Sequence, residues 1–169
     1  MASSIYDFEV KGLNGKTVKL SDYKGKVLMI VNIASKCGNT PQLDTMQKLY
    51  EKYKSKGFEI LAFPSNDFAQ EPGSGGEIQE FCSVNYGVQF KIFEKNKVRG
   101  NDAQPLFKYL AAETKNALFN NYPVWNFQKY IVDRNGKVVD WFNPFKLPDN
   151  AKITETVEKC LAQKPVENN

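Results

Sequence analysis

The chain has 169 residues, 41% of them hydrophobic and 25% charged, which fits one globular domain spanning 1–169 and neither a disordered nor a fibrous chain. It has no histidine, which excludes Ser-His-Asp and Cys-His catalysis and His-liganded zinc. The net charge of +4 comes from lysines scattered along the chain rather than from a basic block, which reads as a solvated surface and not as a nucleic-acid interface.

The opening MASSIYDFEVKGLNGK carries Asp7 and Glu9 and lacks an apolar run, so it does not read as a signal peptide. Tyr6–Val10 and Thr17–Leu20 flank Gly12-Leu13-Asn14-Gly15, and Asn-Gly between extended runs predicts a hairpin. Val27–Ile33 reads as a strand buried on both faces. Its apolar run, Val27–Val31, is the longest in the chain and far short of the ~18 residues of a membrane span, so no stable membrane anchoring is expected.

A helix is predicted to start at Thr40-Pro41, with threonine as N-cap, proline at the first helical position and Asp44 at the positive end of the dipole. Leu43, Met46, Leu49, Tyr50 and Tyr53 recur at helical spacing, and Gly57 fits the stop. Phe58–Phe63 is a second buried strand, and the strand–helix–strand order implies a right-handed parallel crossover. A loop rich in proline and glycine leads to helices expected at about Glu77–Asn85 and Asp102–Ala112. Lys129–Asp133 and Lys137–Phe142 flank Arg134-Asn135-Gly136 as an antiparallel hairpin, and a last amphipathic helix covers about Asn150–Leu161, before a frayed tail over 164–169. The sum is an α/β, thioredoxin-like plan: a central mixed sheet flanked by helices, with an N-terminal β-hairpin.

Three cysteines, Cys37, Cys82 and Cys160, are too few and too scattered for a secreted disulfide framework, so a reducing, cytoplasmic setting is expected, or an organellar one after removal of a leader. Without histidine they make no usual metal site, and no cofactor is expected. Cys37 lies between a buried strand and a helix start, in Ala34-Ser35-Lys36-Cys37-Gly38-Asn39-Thr40-Pro41. Backbone N–H groups, the helix end and Lys36 would there favour thiolate over thiol, the form that acts as a nucleophile; the plain alternative is a small buried residue. Thr40 stands three positions on, so this is no Cys-x-x-Cys motif, and any partner of Cys37 lies elsewhere. Cys160, beside Val157 and Leu161, reads as core.

The blocks NIASKCGNTPQ, ILAFPSNDF, EPGS and WNFQKYIVDRNGKV, in this order and over about Ile5 to Leu161, resemble the glutathione peroxidase family. The resemblance implies a thioredoxin fold and a thiol peroxidase that reduces hydrogen peroxide and organic or lipid hydroperoxides, with Cys37 as the peroxidatic residue. It also implies that Trp125 and Asn126 hydrogen-bond the sulfur, two donors without a titratable proton near neutrality. The family's third donor is a glutamine, whose position Asp67 fills in this chain, in a loop one residue shorter. A carboxylate there would repel a thiolate, so Asp67 points away, is protonated, or slows the enzyme; Gln70 is a possible substitute.

Phe81-Cys82-Ser83-Val84-Asn85-Tyr86-Gly87-Val88 is similar to the segment that carries the resolving cysteine in thioredoxin-dependent members. This implies a Cys37 sulfenic acid, a Cys37–Cys82 disulfide, and its reduction by a thioredoxin-like partner. Closing that disulfide would require local unwinding around Ser74–Asn85, with Gly73, Gly75 and Gly76 as hinge. Only two arginines, Arg99 and Arg134, are available to hold glutathione, the alternative reductant. The resemblance also implies a monomer, because tetrameric relatives carry an extra loop where Leu110–Trp125 is short. The rival functions are a peroxide sensor that oxidises a client protein, and a degenerate binding module silenced by Asp67.

Overall fold

The central strand is fully buried because it is apolar on both sides and covered on both. In the computed structural model, which describes residues 4–114 and 120–164, β3 (Val27–Ile33) is the middle of a five-stranded sheet. The sheet order is β5 (Lys91–Ile92), β4 (Phe58–Pro64), β3, β6 (Lys129–Val132), β7 (Val138–Phe142). β3, β4 and β5 run parallel; β6 is antiparallel to β3 and to β7. The hairpin β1 (Glu9–Lys11) and β2 (Thr17–Lys19) forms a separate small sheet, joined to the main one by a bridge between Gly12 and Phe93.

Alternation along β3 sends Met29, Val31 and Ile33 to one core and Leu28 and Ile30 to the other. The first core is completed by α1 (Gln42–Tyr53), α4 (Ala151–Ala162) and the lightly buried α2 (Gly75–Tyr86); the second by α3 (Pro105–Glu113) through Leu106, Phe107 and Leu110. This is the mixed sheet with flanking helices and N-terminal hairpin that the sequence predicts. Among the described residues no helix is long and apolar enough to cross a membrane. The predicted tail lies, from residue 165 on, outside the described residues.

The differences lie at element ends. Tyr6 belongs to a 3-10 turn, Ile5–Asp7, held by a capping box from Ser4, rather than to the first strand. The helix expected from Asp102 begins at Pro105, where a missing N–H costs nothing. The one expected at Glu77 begins two residues earlier, capped by Ser74. At Gly57 the backbone is left-handed (φ 101°), and an added Cβ would meet Arg134 Nη1 at 2.9 Å. Arg134 is spent there: its guanidinium donates to the carbonyls of Gly25, Lys56 and Leu161, at the end of the sheet where β3 and β4 begin.

Lys129 on β6 has no exposed surface. Its Nζ donates to the carbonyls of Pro144 (3.2 Å) and Lys146 (2.6 Å), and Gln42 Nε2 also reaches Pro144 O, at 2.8 Å. Burial lowers the Lys129 ammonium to about 7 from its ordinary 10.5. Above about pH 7 the unfolded chain therefore holds a proton that the folded one releases, so this residue's contribution to stability rises with pH through that window and is flat below it. Urea midpoints taken between about pH 6 and pH 9 are expected to rise for the parent relative to a Lys129→Met variant, mostly above pH 7; a pH-independent difference would refute this.

Candidate active site

Three chain segments meet beyond the C-terminal end of β3: 35–40, 66–71 and 125–128. Cys37 lies in the first of them, buried, with 8% of its surface exposed. The turn that holds it is braced by Thr40, whose hydroxyl accepts from the Cys37 N–H (3.0 Å) and donates to Ala34 O (2.8 Å). Thr40 is thus not the helix cap expected of it. Pro41 occupies that position without a side-chain cap, and α1 starts at Gln42. The Thr40 hydroxyl serves the cysteine turn because Ala34 O lies within its reach.

The Asn39 N–H donates to Cys37 Sγ at 3.3 Å. A backbone donor aimed at sulfur is best used when the sulfur carries charge. The exposed Lys36 adds a cation one residue away and fixes the loop from the other side, its N–H donating to Gln70 O at 3.0 Å.

Asn126 is fully buried. Its Nδ2 donates to Gln70 Oε1 at 3.0 Å, and its carbonyl accepts from Asn39 Nδ2 at 3.4 Å. The Trp-Asn pair and the cysteine turn are therefore linked through Asn39, and Gln70 comes into the same cluster. Among the described residues, the hydrogen bond to Sγ comes from Asn39, while Asn126 gives its amide to Gln70. Trp125 is half-buried against Phe68, with ring centroids 5.1 Å apart.

Asp67, expected from the resemblance to stand in the place of a glutamine, is turned elsewhere. Its Oδ2 accepts from the N–H groups of Val98 (2.7 Å) and Arg99 (3.2 Å), so the carboxylate fastens the 98–99 loop. The backbone decides which side chain of this loop faces the site. Among the described residues two non-glycines have left-handed φ, Ala69 (57°) and Phe127 (76°), and each adjoins one amide of the cluster, Gln70 and Asn126. Such conformations cost about 1–3 kcal/mol and persist where surrounding bonds hold them.

Asn32, the sixth residue of β3, does that holding. Its Nδ2 donates to Trp125 O (3.0 Å), its Oδ1 accepts from Gln128 N–H (3.0 Å), and its carbonyl accepts from Phe127 N–H (2.6 Å). The sequence reading missed Asn32, though an amide inside an otherwise apolar strand was the available signal. It also missed Glu71, whose buried carboxylate accepts from Ser35 N–H and Ser35 Oγ, both at 2.7 Å.

Cys82 lies on α2, in the same core as Cys37, and all three cysteines are free thiols. Burial, with the charge of Glu71 second, pushes the Cys82 thiol up to about 12, so in this conformation it is protonated and a poor nucleophile. Cys160 is buried in α4 and pushed up to about 11, mainly by burial, as suits a core residue. Arg99 donates to Pro123 O at 3.2 Å and lies over the Phe68 ring.

Residues 5–111 match the family profile described as glutathione peroxidase. The chain is 49% identical over 159 residues to a glutathione peroxidase of Lactococcus lactis subsp. cremoris, covering 94% of this chain and 99% of that one. The chain belongs to the glutathione peroxidase family. It is also 50% identical, with the same coverage, to the glutathione peroxidase homolog BsaA of Halalkalibacterium halodurans. Among solved structures, the apo form of Trgpx superposes with a TM-score of 0.79 at 32% identity, over 98% of this chain and 100% of that one. T. cruzi GPX1 superposes with a TM-score of 0.76 at 33% identity, over 94% and 97%. A Chlorobium tepidum protein described as a putative thiol:disulfide interchange protein DsbE shares the fold, with a TM-score of 0.64 at 22% identity over 94% and 96% of the two chains.

Replacing Asn32 by alanine leaves Trp125 O and Gln128 N–H without their buried partners. The expected cost is about 2–5 kcal/mol of stability. Peroxide consumption by the folded fraction is expected to fall about tenfold or more as the 125–128 segment loses its register. Urea titration and a peroxide assay at a temperature where circular dichroism shows the variant folded check both, and unchanged activity would refute the link.

Proposed function

We propose that Cys37 and Cys82 carry the thiol-dependent peroxidase chemistry of this glutathione peroxidase. The Cys37 sulfur attacks the terminal oxygen of a hydroperoxide; the O–O bond breaks, the sulfur becomes sulfenic acid, and water or an alcohol leaves with the proton. The Cys82 thiol then displaces the hydroxyl as water, forming the S–S bond, and a dithiol reductant reopens it by exchange. Among the described residues no histidine, and no acid beside the sulfur, is needed: the Asn39 donor and the amides of Asn126 and Gln70 form the polar surroundings.

The observation that carries this reading is the contrast between the two thiols. Cys37 sits in a braced turn at a strand end, whereas Cys82 is one of only two buried residues, with Ile78, on a twelve-residue helix. A disulfide needs Cα atoms within about 7 Å, and the route proposed to it is partial unwinding of α2, a helix with two fully buried side chains and two, Phe81 and Tyr86, partly buried. Gly75 and Gly76 in its first turn favour that opening.

A thioredoxin-like dithiol is the proposed reductant. Two features support it over glutathione: a second thiol within the same core, and two arginines already occupied by backbone carbonyls. The proposed substrates are hydrogen peroxide and organic hydroperoxides, including those of lipids, because half-buried Trp125 lies beside Val124, which is 59% exposed and offers an apolar rim.

With thioredoxin, thioredoxin reductase and NADPH, the protein is expected to consume hydrogen peroxide, and Cys37→Ser and Cys82→Ser should each reduce turnover to background. Turnover retained in Cys82→Ser and supported by glutathione would overturn the resolving role. A rapid single reaction with peroxide, poor turnover and a trapped disulfide-linked client would favour a sensor.

A further inference from the structure

One buried carboxylate joins the loop of Cys37 to the base of α2. Glu71 is 1% exposed. Its Oε2 accepts from Ser35 N–H at 2.7 Å; its Oε1 accepts from Ser35 Oγ at 2.7 Å and from Gly73 N–H at 3.3 Å. Its own N–H donates to Asn66 Oδ1 at 2.9 Å, and Lys95 Nζ donates to the carbonyls of Glu71 (3.3 Å) and Gly73 (2.8 Å). Among the described residues no lysine or arginine is within ion-pairing distance of the carboxylate. Its charge is therefore met by donors from two places, the residue two before Cys37 and the residue that leads into the α2 cap. The approach is close at Gly73, where an added Cβ would meet Glu71 Oε1 at 3.3 Å.

We propose that Glu71 is a positioning residue that latches the base of α2 to the Cys37 loop and so sets how readily Cys82 comes out to meet an oxidised Cys37. The consequence for turnover rests on the disulfide cycle proposed above; the latch itself does not. The geometry carries the inference. α2 buries only Ile78 and Cys82 fully, with Phe81 and Tyr86 partly buried against the same core, so charge-assisted bonds at its base add materially to what keeps it docked. The same charge disfavours a thiolate at Cys82, so latch and field act in one direction while the helix is closed.

The step controlled is the reaction of Cys37 sulfenic acid with the Cys82 thiol: the S–S bond forms, the S–O bond breaks, and the Cys82 proton leaves with the hydroxyl as water. Its competitor is a second hydroperoxide, which oxidises the sulfenic to the sulfinic acid and leaves as water or alcohol. A tight latch favours the competitor and a loose one favours the disulfide.

The test begins with the reduced full-length chain and no peroxide. Alkylation by iodoacetamide is followed at each cysteine by peptide mass spectrometry in the parent, in Glu71→Gln, and in Glu80→Gln as a control for an exposed charge on the same helix. Glu71→Gln is expected to raise Cys82 alkylation about tenfold, as the loss of a charge-assisted hydrogen bond would, with Cys160 unchanged. After one equivalent of hydrogen peroxide per chain, the variant should close the disulfide faster and yield less sulfinic acid when peroxide is in excess. Should Glu71→Gln fail to fold, Ser35→Ala removes one donor, keeps the carboxylate, and is expected to move Cys82 the same way by a smaller factor. Unchanged Cys82 alkylation in these variants would overturn the latch, as would an equal rise at Cys82 and Cys160, which marks general loosening. A selective rise at Cys82 in a protein whose parent never forms the disulfide would uphold the latch and overturn the cycle instead.

Discussion

The site depends on one buried amide near the end of the central strand. Asn32 stands where a hydrocarbon side chain would complete β3, and, fully buried, it makes three hydrogen bonds to the 125–128 segment. Leaving such an amide unpaired would cost more than the bonds themselves contribute, so the segment has one satisfactory register. That register places Asn126 against Gln70 and Asn39 and forces Phe127 into a left-handed backbone. The cysteine turn is thus braced from within, by Thr40 and Ala34, and from without, by a segment that β3 itself anchors.

Much of the fold could be read before the structure. β3 opens on five consecutive apolar residues, Val27–Val31, with β-branched ones among them, and α1 repeats its buried positions at helical spacing; both patterns are local and strong. The two-residue strand β5 escaped because only its pairing with Leu61 and Ala62 makes it a strand. Within the site, Cys37, Trp125 and Asn126 were legible from the motifs that hold them. The choice between Asp67 and Gln70 was not, since it turns on the φ of Ala69 and on whether the Val98 and Arg99 N–H groups need an acceptor. Thr40 was misplaced for a similar reason: a hydroxyl at a helix start can serve the helix or the preceding turn, and Ala34 O decides. Glu71 looked like a loop landmark, because nothing local shows that a carboxylate will be buried.

The two proposed reactive sulfurs make opposite demands on the structure. One must be held still, and it lies in a turn with bonds on every side. The other must move, and it lies on a helix whose exposed side chains are polar apart from Val84 and which buries only Ile78 and Cys82 fully, with Phe81 and Tyr86 partly covered. Burial keeps the second thiol protonated while the helix is closed, which guards it against oxidation out of turn.

Disulfide mapping tests the division of labour between these two sulfurs most directly. Protein treated with one equivalent of hydrogen peroxide, alkylated at once and digested without reductant should yield a peptide pair joined through Cys37 and Cys82, with Cys160 alkylated. Sulfenic acid persisting at Cys37 beside a free Cys82, or a disulfide through Cys160, would contradict it.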